Sequence, residues 1–332
     1  MLNDKTVLVT GGTGTFGKKF TKFLFQNLKP KKVIIFSRDE FKQFEMSKTF
    51  QESEFEIRYF LGDIRDKERL LRALEGVDYV VHAAALKQVP ALEYNPFEAV
   101  KTNIIGAQNI VEAAIEKNVK KVVALSTDKA VAPINLYGAT KLVMEKIFIN
   151  GNSYAGDKVT TFSVVRYGNV AGSRGSVIPF FMELFKKGIY ELPITDERMT
   201  RFCISLDQGI DIVYKALSFS IGGEIFIPKM PSMRIVDLVK SISERCTYKV
   251  VGIRPGEKID ETLIHEEEGR NTVDMGDYFV ILPQFEFAKN TRRHYRESKK
   301  VDENFVYKSD KNDQWLSESQ LKDMLKTLEI ES

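Results

Sequence analysis

KTVLVTGGTGTFG, Lys5 to Gly17, is a short apolar, β-branched run that breaks into glycines at positions 11, 14 and 17. A run of this length that ends in glycine reads as a buried strand, and the amphipathic stretch that follows, to about Leu28, reads as a helix. Glycines spaced by three between strand and helix permit a tight turn, close approach of a pyrophosphate, and contact between helix and sheet. The helix N-terminus adds unpaired N–H groups that favour phosphate oxygens. Gly11, Gly14, Thr15, Phe16 and Gly17 are therefore candidate dinucleotide-binding residues.

The rhythm continues outward from this stretch. KVIIFS, IRYFLGDI, DYVVHAA, KKVVALST, TTFSVVRYGNV and GEIFIP (Gly223 to Pro228) are further apolar runs, most of them separated by helical patterns. Strands alternating with helices predict an α/β fold, a doubly wound parallel sheet of the Rossmann kind with about seven strands. After Val170 the alternation fades and prolines and aromatics increase. The expected division is a dinucleotide-binding domain of residues 1–170 and 203–228, with a smaller mixed α/β substrate lobe of residues 171–202 and 229–332 closing over the sheet edge. Ser317 and Gln320 form a capping-box pattern that predicts a docked C-terminal helix.

Bulk properties narrow the function classes. In 332 residues, 49 basic and 46 acidic side chains leave a net charge of +3, so neither nucleic acid nor an anionic membrane surface is an expected partner. The basic run Lys289 to Lys300 reads as a solvated face. No leader pattern precedes the first strand and no apolar run approaches about 18 residues, so a cytoplasmic protein is expected. Cys203 and Cys246 lie far apart, as do His82, His265 and His294, and no metal site is expected.

The end of the second strand reads FSRDE, where an NAD-preferring chain typically has an acid. Ser37 and Arg38 are suited to a ribose 2′-phosphate, which favours NADP, with Lys42 nearby and Asp39 as a competing ribose ligand. Asp63 and Ile64 are expected beside the adenine. Ala83, with the alanines that follow, and Lys87 are expected beside the nicotinamide half and the sugar.

STDKAVAPINLYGATK, Ser126 to Lys141, carries the chemistry. Tyr137 and Lys141 are four residues apart, on one helical face, and an ammonium beside a phenol lowers its pKa toward the range of a usable base. With the glycine loop ahead of it, this stretch resembles the active site of the extended short-chain dehydrogenase/reductases. HAAALKQVP, RYGNVAGSRGSVIPFF, ITDERMTRF and IRPGEK narrow the resemblance to the inverting UDP-N-acetylglucosamine 4,6-dehydratases, from residue 10 to about 260.

That resemblance implies a mechanism. Tyr137, assisted by Lys141, takes the proton of the sugar 4-hydroxyl as NADP+ receives hydride from C4. Lys129 removes the acidified C5 proton and Asp128 protonates the departing C6 hydroxyl; hydride returns to C6 and C5 is protonated on its opposite face. A lysine base must be partly neutral, which burial and neighbouring positive charge would favour. Thr127, Asn169, Arg174, Arg201, Arg254, Glu257 and Lys87 are the candidate contacts of UDP-N-acetylglucosamine, and a homo-oligomer is expected by analogy. The resemblance implies a 6-deoxy-4-keto-β-L-arabino sugar as product, for pseudaminic acid or a related surface glycan.

Gln88, Cys203 and Asp260 depart from the pseudaminic-pathway pattern, which has histidine, tryptophan and histidine there. ALKQVP and DMGDYF (Asp274 to Phe279) are closer to capsule-pathway relatives. A UDP-sugar epimerase, a C5-retaining dehydratase and a non-catalytic NADP-sensing protein stay open as alternatives.

Overall fold

The computed structural model describes residues 1–50, 56–173, 175–285 and 289–331, so Arg174 lies outside the described residues. Six parallel strands, β1 (Thr6–Thr10), β2 (Lys32–Ser37), β3 (Glu56–Leu61), β4 (Tyr79–His82), β5 (Lys121–Thr127) and β6 (Thr161–Tyr167), line up as β3-β2-β1-β4-β5-β6. Ile225–Pro228 adds a seventh parallel strand against β6, as the alternation predicts. All five residues of β1 are buried, the pattern of a strand covered on both faces, which is why these segments read as unbroken apolar runs.

Chain order reverses between β1 and β4, where Thr10 pairs with His82. At such a switch point the loops leaving two neighbouring strands diverge and open a crevice at the strands' carboxyl ends. The first helix, Thr15–Asn27, follows the glycine loop, and Phe20 and Leu24 on its inner face are fully buried, each stabilising the fold by about 2 kcal/mol.

Two apolar cores form among the described residues. The larger lies on both faces of the parallel sheet; the smaller joins Ile178 and Phe181, Leu192 and Ile194, Leu238 and Val239, and Leu321 and Leu325. The last two belong to the C-terminal helix Glu318–Glu331, whose start carries the expected box: Ser317 N–H donates to Gln320 Oε1 and Gln320 N–H to Ser317 Oγ. One part of the expected division differs. Tyr278–Ile281, Thr272–Asp274 and Lys299–Lys300 extend the large sheet antiparallel beyond Ile225–Pro228, giving ten strands among the described residues, although they fall in the segment assigned to the substrate lobe. The exposed backbone edge of Ile225–Pro228 explains this, since an unpaired edge takes up the next available strand.

Lys289–His294 is a short helix whose Arg292, Arg293 and His294 face solvent while Thr291 is buried. Among the described residues, no helix is long and apolar enough to cross a membrane.

Candidate active site

The glycine loop has the shape a pyrophosphate requires. Gly11 has φ +63°, and a Cβ there would lie 2.9 Å from the Ala84 backbone; a Cβ on Gly17 would lie 2.3 Å from the Gly12 carbonyl oxygen. Any side chain at either position would push the first helix or the β4 loop away. Gly14 caps that helix without a side-chain bond, and no acid stands in its first turn. The N–H groups around Thr15 and Phe16 and the positive helix end are thus left for an anion, and these residues fit a dinucleotide.

At the end of β2, Ser37 is buried and accepts from Gln43 Nε2 at 3.0 Å. Asp39 is already engaged: its carboxylate caps the next helix through Lys42 N–H and pairs with Lys42 Nζ at 2.6 Å, which hold its pKa below the usual carboxylate range. Arg38 is half exposed and 3.6 Å from Asp63, whose main partner is Arg65 at 2.7 Å. The Ile64 side chain is buried against Gly106, where a Cβ would approach it to 2.6 Å, so the residue can face an adenine only with its backbone. Thr10 Oγ1 accepts from Ala84 N–H and bonds His82 Nδ1 at 2.8 Å, fixing the Ala83 loop.

β5 delivers the candidate catalytic cluster. Its last residue, Thr127, donates its hydroxyl to Asp128 Oδ1 at 2.8 Å, and Asp128 to Ala130 turn in a single 3-10 coil. Asp128 is fully buried. Lys129 Nζ reaches Asp128 Oδ1 at 3.0 Å, Glu261 Oε1 at 3.4 Å and Asn169 Oδ1 at 3.4 Å. The long helix Leu136–Tyr154 lies directly on this turn: a Cβ on Gly138 would be 2.1 Å from the Lys129 carbonyl oxygen, so only glycine after Tyr137 brings the two motifs together.

The electrostatics correct two expectations. Burial pushes Lys129 down, but the Asp128 and Glu261 carboxylates outweigh it, and Arg201 opposes them only in part; the ammonium is held above its ordinary range rather than neutralised. Burial pushes the Tyr137 phenol up to about 12, against the opposing pull of Lys129 and a bond with the Thr127 hydroxyl. Lys141 shares the helical face with Tyr137, yet its Nζ donates to Leu125 O at 2.6 Å and Met144 Sδ at 2.9 Å. Burial lowers it to about 8 despite Glu145. The exposed Lys87 on the rim is lowered by desolvation and then by Lys129.

Beneath the cluster lies a network that the sequence reading missed. Arg166 of β6, 1% exposed, bonds both oxygens of Glu145 at 3.0 and 2.7 Å, both oxygens of Glu268, and Leu263 O. Ser126 Oγ donates to Glu145 Oε1. This network joins the end of β5, the long helix, β6 and the Thr262–Ile264 strand, and deleting one member of such a buried pair costs about 3–5 kcal/mol. Asn103 similarly grips Leu86 through both N–H and C=O and bonds Thr140. A lone arginine inside TFSVVRY was the one available signal.

The other candidate contacts divide. Asn169 joins the Lys129 cluster. Arg201 is 6% exposed and spends its guanidinium on the Thr200, Ile259 and Lys258 carbonyls, which suits it to shaping the Glu261 pocket, not to a diphosphate. Arg254 is exposed, and Glu257 accepts from Thr195 Oγ1 at 3.0 Å. Of the three departures, Asp260 bonds Thr200 and Lys308, Cys203 packs in the smaller core, and Gln88 lies against Gly175. Among the described residues no cluster of His, Cys, Asp or Glu could hold a metal ion.

The polysaccharide biosynthesis protein family matches residues 7–283. A UDP-N-acetylglucosamine 4,6-dehydratase (inverting) from Campylobacter jejuni subsp. jejuni serotype O:23/36 is 52% identical over 98% of both chains. A UDP-glucose 4-epimerase from Rickettsia typhi is 43% identical over 85% of this chain and 84% of its own. The X-ray structure of Pen from Bacillus thuringiensis superposes with a TM-score of 0.89 at 39% identity, covering 99% of each chain.

Proposed function

The chain belongs to the polysaccharide biosynthesis protein family, and from this we propose that it is an NADP-dependent, inverting UDP-N-acetylglucosamine 4,6-dehydratase. The observation that carries the proposal is the convergence of Asp128, Lys129 and Tyr137 on one turn at the end of β5. A dinucleotide whose pyrophosphate is held by the glycine loop would supply a nicotinamide that accepts hydride from C4 and returns it to C6. Tyr137 takes the proton of the 4-hydroxyl. Lys129 takes the C5 proton, and Asp128, bonded to Lys129 Nζ, relays a proton from it to the leaving C6 hydroxyl. Asn169, Arg254 and Glu257 hold the UDP-sugar, with Arg174 assigned on sequence alone. A cytoplasmic homo-oligomer is part of the same proposal.

The test is product identification by NMR in deuterated water. A 6-deoxy-4-keto product with a solvent deuteron at C5 in the L-configuration is expected. The identity to a 4-epimerase favours a second reading, and a C4 epimer with C6 still hydroxylated would establish it instead.

The cofactor preference rests on Arg38 and Lys42. Arg38→Ala is expected to weaken NADP binding roughly tenfold, about 1.5 kcal/mol for an exposed charge-assisted contact, and to leave NAD binding nearly unchanged. Titration with both dinucleotides measures it; equal losses for both would remove the 2′-phosphate contact.

A further inference from the structure

Glu261 has no part in the scheme above, yet it is 2% exposed and points its Oε1 at Lys129 Nζ from 3.4 Å. Its Oε2 is buried with no hydrogen-bond partner, as is Asp128 Oδ2. The segment is locked in place: Glu261 N–H donates to Ser309 Oγ and Ser309 N–H to Glu261 O, both at 2.9 Å, while Asp260 is held by Thr200 and Lys308. The charged groups that face Glu261 are Lys129 and Asp128 from the turn after β5, Arg201 from the Thr200–Ile204 strand, and Lys258 from its own segment. Arg201 Nε stands 3.9 Å away and its other nitrogens are bonded to carbonyls; Lys258 Nζ donates to Val131 O.

Lys129, a quarter exposed, separates this carboxylate from the cleft. Glu261 therefore acts on substrate only through the lysine. A buried carboxylate oxygen without a donor is destabilised as an anion and relieved by a proton. The Glu261 carboxyl is accordingly raised, by burial first and then by Asp128, against Lys129, Arg201 and Lys258. Closing a sugar over the lysine removes the water that stabilises the ion pair and so favours its neutral form.

We propose that Glu261 is a positioning residue that takes one ammonium proton from Lys129 and later returns it, so that the lysine meets C5 as a neutral amine. An N–H bond of Lys129 breaks and an O–H bond forms at Glu261, leaving the lone pair on nitrogen. That pair forms a new N–H bond to the C5 proton, and the C5–H electrons pass into the enolate of the 4-ketone. The lysine passes this proton through Asp128, 3.0 Å away, to the C6 hydroxyl, which leaves as water, and Glu261 then returns the first proton, restoring the pair. The inference rests on the dehydratase reading above.

C5 deuterium exchange, measured against pH in the full-length protein with NADP and UDP-N-acetylglucosamine, tests it. The wild type should exchange at a rate nearly independent of pH around neutrality, because the proton moves internally; absence of C5 deuterium in the wild type would instead sink the dehydratase reading itself. Glu261→Gln should lose about 100-fold at neutral pH and recover as pH rises, because only solvent can then deprotonate the lysine. Glu261→Asp should keep the wild-type pH shape at a lower rate. Reduction of the cofactor on mixing reports that each variant is folded. The inference is overturned if Glu261→Gln exchanges as fast as the wild type or faster at neutral pH, the result of merely removing a carboxylate that raises the lysine. A loss that stays uniform with pH, or an Asp variant that behaves like the Gln variant, overturns it too. If Glu261→Gln does not fold, the Asp variant's profile decides alone.

Discussion

Tyr137→Phe is expected to lower turnover by about a thousandfold or more, the upper part of the range for a lost general base, while dinucleotide and UDP-sugar still bind. The substitution keeps the ring that packs in the long helix and removes only the hydroxyl, so no cavity forms. The protein's own groups hold that phenol up to about 12. Bringing it to the neutral range requires about 7 kcal/mol of differential stabilisation. With Lys141 Nζ engaged by Leu125 O and Met144 Sδ, the positive charge of a bound oxidised cofactor would provide most of it. Rapid-mixing absorbance of the reduced cofactor is the measurement, and reduction at the wild-type rate would take Tyr137 out of the reaction.

The same shift has a consequence for stability, with a definite sign. An unfolded tyrosine ionises near 10 and the folded one only near about 12, so the folded state binds the proton more tightly. This stabilisation is fully present below the unfolded value and is lost as pH rises through the folded one. Thermal melts over that alkaline window should therefore show the wild type losing more stability than Tyr137→Phe.

Lys129→Ala should lose C5 exchange and 6-deoxy product by about a thousandfold, with oxidation at C4 still detectable in a single turnover. Normal C5 exchange in this variant would exclude the lysine from the elimination. The variant should also be less stable by about 2–3 kcal/mol, because two buried carboxylates, Asp128 and Glu261, lose the cation they share; the partial exposure of Lys129 keeps the cost below that of a fully buried pair. Without the lysine the Glu261 carboxyl, already raised by burial, is raised further in the folded state. Protonation then relieves it, and the deficit should be smaller at about pH 5 than at about pH 8. A pH-independent melting difference would argue that the lysine carries no such pairing.

Much of this was readable along the chain because it depends on local spacing. Glycines at 11, 14 and 17, a tyrosine four residues before a lysine, and seven apolar runs each state a geometry that neighbouring residues impose on one another. Ile64 and Arg201 show what local spacing leaves out, the surroundings of each side chain. Both sit beside site motifs, but one is buried under Gly106 and the other is consumed by carbonyls nearly 60 residues away.

The sequence by itself determined the parallel α/β sheet and the glycine loop that opens its first helix, and it named the candidate reactive side chains, since strand pattern, turn glycines and helical spacing are short-range properties. Only the tertiary structure decided the charge state around them. Glu261 stands 132 positions beyond Lys129 in the chain, and Glu145 meets Arg166 across a helix and a strand. Electrostatic energy depends on distance and burial in space, which no local pattern encodes, so the lysine held as an ammonium between two carboxylates became visible only once the chain was folded.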